Sequence, residues 1–149
     1  MSQYLNFYIR TEDDKCYLIA TRSANSLIYS AFNTTYGRGE ECGINKLDAA
    51  DQYLKELQDT ITQELKSAVD RYNAVTRFNN PVDEKLEALY SLEAQQKQLG
   101  DEMLEAEHER AFIAFLREVI DCGEYGMHLS PYLMMGIEWN GELDGAECL

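Results

Sequence analysis

Residues 47–118 read LDAADQYLKELQDTITQELKSAVDRYNAVTRFNNPVDEKLEALYSLEAQQKQLGDEMLEAEHERAFIAFLRE, and one interruption, Arg77-Phe78-Asn79-Asn80-Pro81, decides the fold. On both sides of it apolar residues recur three and four apart, the spacing that gathers them on one face of an α-helix. The first row runs Leu47, Ala50, Leu54, Leu57, Ile61, Leu65, Ala68, Tyr72 and Val75. The second runs Val82, Leu86, Leu89, Leu92, Gln96, Leu99, Met103, Ala106, Arg110 and Ile113, so that Gln96 and Arg110 interrupt an otherwise apolar coiled-coil-like seam. Asn45 reads as the cap of the first helix. Asn80, Pro81 and Asp83 supply a cap, a first-position proline and an early acid for the second. The expectation is an antiparallel hairpin whose helices measure roughly 45 and 55 Å.

Toward the carboxyl end Phe112, Phe115, Leu116, Val119 and Ile120 widen the second stripe, which predicts a base packed against something bulkier than one helix. The Asn79-Asn80 tip reads as polar and free, and Cys122-Gly123 as the helix stop. In the first 46 residues, Leu5, Phe7 and Ile9 alternate with Tyr4, Asn6 and Tyr8, the period of a half-buried strand. Cys16 to Thr21 supplies a second strand after the polar Thr11–Lys15 turn. Ser23 or Asn25 then caps a short helix through Leu27, Ile28, Ala31 and Phe32, and residues 33–46 read as a glycine-bearing loop. Ser130-Pro131 can cap a helix, but Met134 to Trp139 reads better as a strand closed by an Asn140-Gly141 turn, with Glu142 to Leu149 fraying. The fold class expected is α+β, a small antiparallel sheet packed on a long antiparallel helical hairpin. It forms one domain over 1–149: strand hairpin, short helix and loop at 1–46, helical hairpin at 47–120, and an acidic tail with a third strand at 121–149.

Composition limits what such a fold does. Twenty-seven acids against 13 bases give a net charge of −14, which repels bare nucleic acid and anionic membrane. The apolar fraction of 45% and ten tyrosines are enough for a folded core. From residue 118 onward Glu118, Asp121, Glu124, Glu138, Glu142, Asp144 and Glu147 occur without any Lys or Arg. Cysteines 16, 42, 122 and 148 do not space as a disulfide framework, no basic-then-apolar leader opens the chain, and no apolar run approaches a membrane span. A soluble cytoplasmic protein is expected.

The constellations that carry chemistry fall short one by one. Glu105 and His108 have the three-residue spacing of a helical-bundle metal site, but the only other histidine, His128, lies outside the hairpin. His108-Glu109 opens like a zinc-protease helix, yet position 112 is Phe where a second histidine is required. The cysteines lack knuckle spacing. Cys122 sits at a helix carboxyl end, where the dipole raises a thiol pKa. Gly37, Gly39 and Gly43 miss the dinucleotide pattern, and Glu40-Glu41 would repel a phosphate. Acid pairs such as Asp13-Asp14, Glu40-Glu41 and Asp101-Glu102 follow from acid abundance alone. No cofactor and no catalytic residue are assigned.

The sequence therefore favours binding over catalysis. The leading expectation is a protein-binding or assembly module that uses the hairpin, with itself as homo-oligomer or with another, basic protein, and with neither nucleic acid nor membrane directly. Its candidate surface comprises the seam interruptions Gln96 and Arg110, the helix carboxylates Asp101, Glu102, Glu105, Glu107 and Glu109, and the tail acids Glu138, Glu142, Asp144 and Glu147. A second expectation is an acidic inhibitor that mimics nucleic acid for a DNA- or RNA-binding protein. A metal-dependent enzyme stands third. In its small size, acidity, tyrosine content and lack of a catalytic signature, the chain resembles accessory proteins carried by bacteriophages and mobile elements.

Overall fold

The computed structural model describes residues 3–11, 15–23, 25–32, 37–125, 132–139 and 146–148. In order they form β1 (Gln3–Arg10), β2 (Cys16–Ser23), α1 (Leu27–Phe32), β3 (Gly37–Glu41), α2 (Ile44–Arg77), α3 (Val82–Tyr125), β4 (Tyr132–Trp139) and β5 (Ala146–Cys148). The fold is α+β, with a small sheet and a long antiparallel helical hairpin. The strand order is β3-β4-β1-β2-β5; every pairing is antiparallel except that of β5 with β2. The chain divides into two compact units. Unit 1 holds Met1–Tyr53 and Glu109–Leu149, and unit 2 is the hairpin segment Leu54–His108.

In unit 1, β1 lies at the centre of the sheet, and Leu5, Asn6, Phe7 and Tyr8 are all buried. The alternation therefore marks two buried faces instead of one, because a strand paired on both sides and covered on both faces has no solvent side. Phe7 packs edge-on against Phe32 of α1 and Phe112 of α3, each with a centroid separation of 5.2 Å. Asn6 is fully buried and half satisfied: Thr21, opposite it on β2, donates a 2.9 Å hydrogen bond to its Oδ1, while its Nδ2 has no hydrogen-bond partner among the described residues. Between Phe7 and Tyr8 the register slips and leaves Ile19 as an extra residue on β2, a bulge.

Local details depart from the sequence reading at element ends. The cap of α1 is Ser26 and not Ser23 or Asn25: its Oγ accepts from the Tyr29 amide at 3.4 Å and donates to the Ser23 carbonyl at 2.7 Å. Residues 37–41 form an edge strand where a loop was expected, and the Cys42 amide continues the pairing to the Leu133 carbonyl at 2.8 Å. Gly37-Arg-Gly-Glu-Glu has no apolar alternation, so nothing local marks it as a strand; pairing with β4 creates it. The Gly43 carbonyl accepts from the Leu47 amide, so Gly43 occupies the cap position and Asn45 lies inside α2. Helix α3 continues through Cys122-Gly123 to Tyr125. A single helical glycine costs only about 1 kcal/mol, too little to stop a helix that is packed elsewhere. Met134–Trp139 is a strand as expected, and β5 occupies part of a tail expected to fray. The proposed Ser130-Pro131 cap and Asn140-Gly141 turn lie outside the described residues.

Helices α2 and α3 contain 34 and 44 residues, about 50 and 65 Å. In unit 2 the α2 row is as expected, with Leu54, Ile61 and Ala68 buried and Leu57, Leu65, Tyr72 and Val75 half-buried. Asn80 does close a helix, but the preceding one: its Nδ2 donates to the Val75 carbonyl at 2.8 Å. The Pro81 carbonyl accepts from the Lys85 amide, so Pro81 takes the cap position of α3. Nor is the tip wholly polar, since Phe78 and Val82 are 67% and 70% exposed.

Candidate interaction surface

Charged residues from the α3 sequence end in two different environments. In unit 1, Glu109 is buried, and both of its carboxylate oxygens accept from Arg22 Nε of β2 at 3.3 Å. The Arg22 guanidinium also lies 4.2 Å over the Phe112 ring and donates to the Thr21 carbonyl at 3.3 Å. Arg22 is 29% exposed at the side chain, so the carboxylate, the π face and the carbonyl hold part of the guanidinium while water reaches its remaining N–H groups. At the next position, Arg110 donates to both oxygens of Asp51 on α2, at 2.9 and 3.3 Å. Arg117 pairs with Asp48 on α2, and Lys46 pairs with Glu40 at the end of β3.

These contacts revise the candidate surface. Glu109 is not an exposed carboxylate; it anchors a helix to the sheet. Arg110 does not leave the seam open for a partner, since Asp51 already takes its guanidinium. Gln96 is exposed; its neighbour Gln95 is half-buried and accepts from Arg71 Nη2 at 3.5 Å. Asp101, Glu105 and Glu107 are exposed, and Glu102 is half-buried. Glu138 and Glu147 fall on β4 and β5, while Glu142 and Asp144 lie outside the described residues.

The feature that the sequence row concealed is a second face on α3. Within unit 2, Val82, Leu86, Tyr90 and Leu104 are 70%, 43%, 63% and 51% exposed. At 100° per residue these four, with exposed Glu93, Lys97, Gly100 and His108 between and beyond them, fall within an arc of about 80°. Ala88, Leu92, Leu99 and Ala106, which are half-buried or buried, occupy the opposite side. Val82 and Leu86 were read as seam residues; they belong instead to this outward row. Spacing alone does not reveal it: Val82, Leu86 and Leu89 share one three-and-four row, and only burial separates half-buried Leu89 from the exposed pair.

The other sites offer little chemistry. An open groove of about 640 Å³ in unit 2 is bordered by Glu64, Arg71, Gln95 and Glu102. Its mixed charges and solvent access suit neither an apolar ligand nor sequestered catalysis. Among the described residues no group of three or more His, Cys, Asp or Glu side chains is placed to hold a metal ion. Cys42 is buried, and its thiol is pushed up to about 12 chiefly by desolvation, with Lys46 opposing and Glu40 adding to the shift. Such a thiol is protonated at neutral pH and is a poor nucleophile. No helix among the described residues is long and apolar enough to cross a membrane. Compared with protein-family models, curated proteins and solved structures, the chain matches none of them.

Proposed function

We propose that this chain is a non-enzymatic protein-binding module whose contact surface is the outward face of α3 in unit 2. One observation carries the reading: four large apolar side chains lie exposed in register along a helix whose opposite side already faces its own hairpin seam. Isolated exposed apolar residues are ordinary, whereas a row of them at helical spacing is the pattern of helix-to-helix recognition. Replacing Leu86 and Tyr90 together by Glu tests it. Both side chains are solvent-facing, so the variant keeps its fold and thermal stability while losing association, measured by light scattering and by capture of bound protein. Unchanged association would sink the proposal.

A second reading uses the exposed carboxylates Asp101, Glu105 and Glu107 to engage a basic partner such as a nucleic-acid-binding protein. It loses Glu109, which Arg22 neutralises in unit 1. The two readings differ in salt response. Charge-driven binding weakens steeply as salt rises, whereas apolar docking does not.

A further inference from the structure

Resting on the reading of the outward α3 face as a binding surface, we propose that its partner is a second copy of this chain. The two copies dock antiparallel, α3 against α3, about a two-fold axis passing between Glu93 and Lys97. The row Val82, Leu86, Tyr90, Glu93, Lys97, Gly100, Leu104, His108 advances by three or four residues throughout, and its positions recur after eleven: 82, 93 and 104; 86, 97 and 108. An eleven-residue repeat advances 3.67 residues per turn, close to the 3.6 of a straight helix, so the row stays on one line over about 40 Å without left-handed supercoiling.

A two-fold contact must be self-complementary, because each residue meets its counterpart across the axis. With the axis between positions 93 and 97, Glu93 faces Lys97 of the second copy and Lys97 faces its Glu93. Leu86 then faces Leu104, and Tyr90 faces Gly100. The same row docked in parallel would set Glu93 against Glu93 and Lys97 against Lys97. Charge thus selects the antiparallel arrangement. Among the described residues neither Glu93 nor Lys97 has an ion-pair partner within the chain.

Gly100 is the independent clue. A mid-helix glycine is about 1 kcal/mol less favourable than alanine, and a Cβ placed there would meet nothing within 4 Å in the chain itself. Nothing internal requires its small size. In the antiparallel pair it supplies the space into which the Tyr90 ring of the second copy fits, as small residues do wherever helices approach closely around a large one.

Sedimentation equilibrium of the full chain tests the pairing. The wild type associates to a dimer that is retained or tightened by added salt, because screening relieves the repulsion between two chains of charge −14. Glu93→Lys alone and Lys97→Glu alone each weaken the dimer at least tenfold, and the double exchange Glu93→Lys/Lys97→Glu restores it. Gly100→Leu abolishes it, while circular dichroism shows the helices intact. A chain that stays monomeric up to high micromolar concentration, or a double exchange no better than the single ones, overturns self-pairing. The wider reading survives that result if Leu86→Glu/Tyr90→Glu still abolishes binding of a heterologous protein, and it falls with it if that variant changes nothing.

Discussion

Unit 1 and unit 2 use similar residues for opposite ends. In unit 1 several charges on the helices are spent within the chain: Asp48 on Arg117, Asp51 on Arg110, Glu109 on Arg22. The aromatic rings there are shared among β1, α1 and α3. In unit 2 the only buried residues among those described are Leu54, Ile61, Ala68 and Ala106, two of them alanines. Its large α3 side chains Val82, Leu86, Tyr90 and Leu104 face outward. A region that pairs its groups internally stabilises the fold; one that leaves a row of apolar groups exposed has surface for a partner.

Substitutions can break that contrast at several points. Phe7→Ala should be the most damaging, about 3–5 kcal/mol by denaturant titration, since it removes the ring on which Phe32 and Phe112 both pack. Tyr90→Ala, although also aromatic to alanine, should change the stability of the monomer by less than about 0.5 kcal/mol. Equal losses at the two sites would erase the distinction between the units.

Glu109→Ala should rank next, at about 1–3 kcal/mol. It leaves the Arg22 guanidinium without its carboxylate, and Arg22 is still 29% exposed at the side chain, so water compensates in part. Asp101→Ala on the same helix serves as the control and should stay within about 0.5 kcal/mol. Arg110→Ala falls between them at about 1 kcal/mol, its pair with Asp51 being roughly one-third exposed on each side.

The smallest effect concerns Cys42. Burial pushes its thiol pKa up to about 12 from an ordinary 9.0, so above pH 9 the unfolded chain gives up the proton first. The stabilising contribution is whole below about pH 9 and is lost as pH rises toward 12. Thermal scans across that range should show a decline that Cys42→Ala reduces. At pH 8 a thiol reagent should label Cys42 only after unfolding.

How far the sequence could be read depended on whether the deciding contact was local. The α2 row from Leu47 to Val75 was legible because one face of one helix buries it throughout. The α3 row was legible only in part: Leu89, Leu92, Leu99, Met103, Ala106 and Ile113 are half-buried or buried, but Val82 and Leu86 fit the same three-and-four spacing while exposed. Spacing alone cannot separate two apolar faces on one helix; burial does. Glu109 and Arg110 were illegible for a related reason. Both looked like solvent charges until Arg22, 87 residues before Glu109 in the chain, and Asp51, 59 residues before Arg110, were brought against them.

What the sequence itself determined is therefore the hairpin, the strand character of β1, β2 and β4, the α+β class and the acidic charge, all of which follow from periodicity and composition within short windows. Tertiary structure alone decided that β1 is buried on both faces, that Gly37–Glu41 becomes a strand, which carboxylates are consumed by arginines, and which α3 apolar groups remain exposed. Each of those outcomes depends on neighbours distant in the chain, and a one-dimensional pattern holds no information about who those neighbours are.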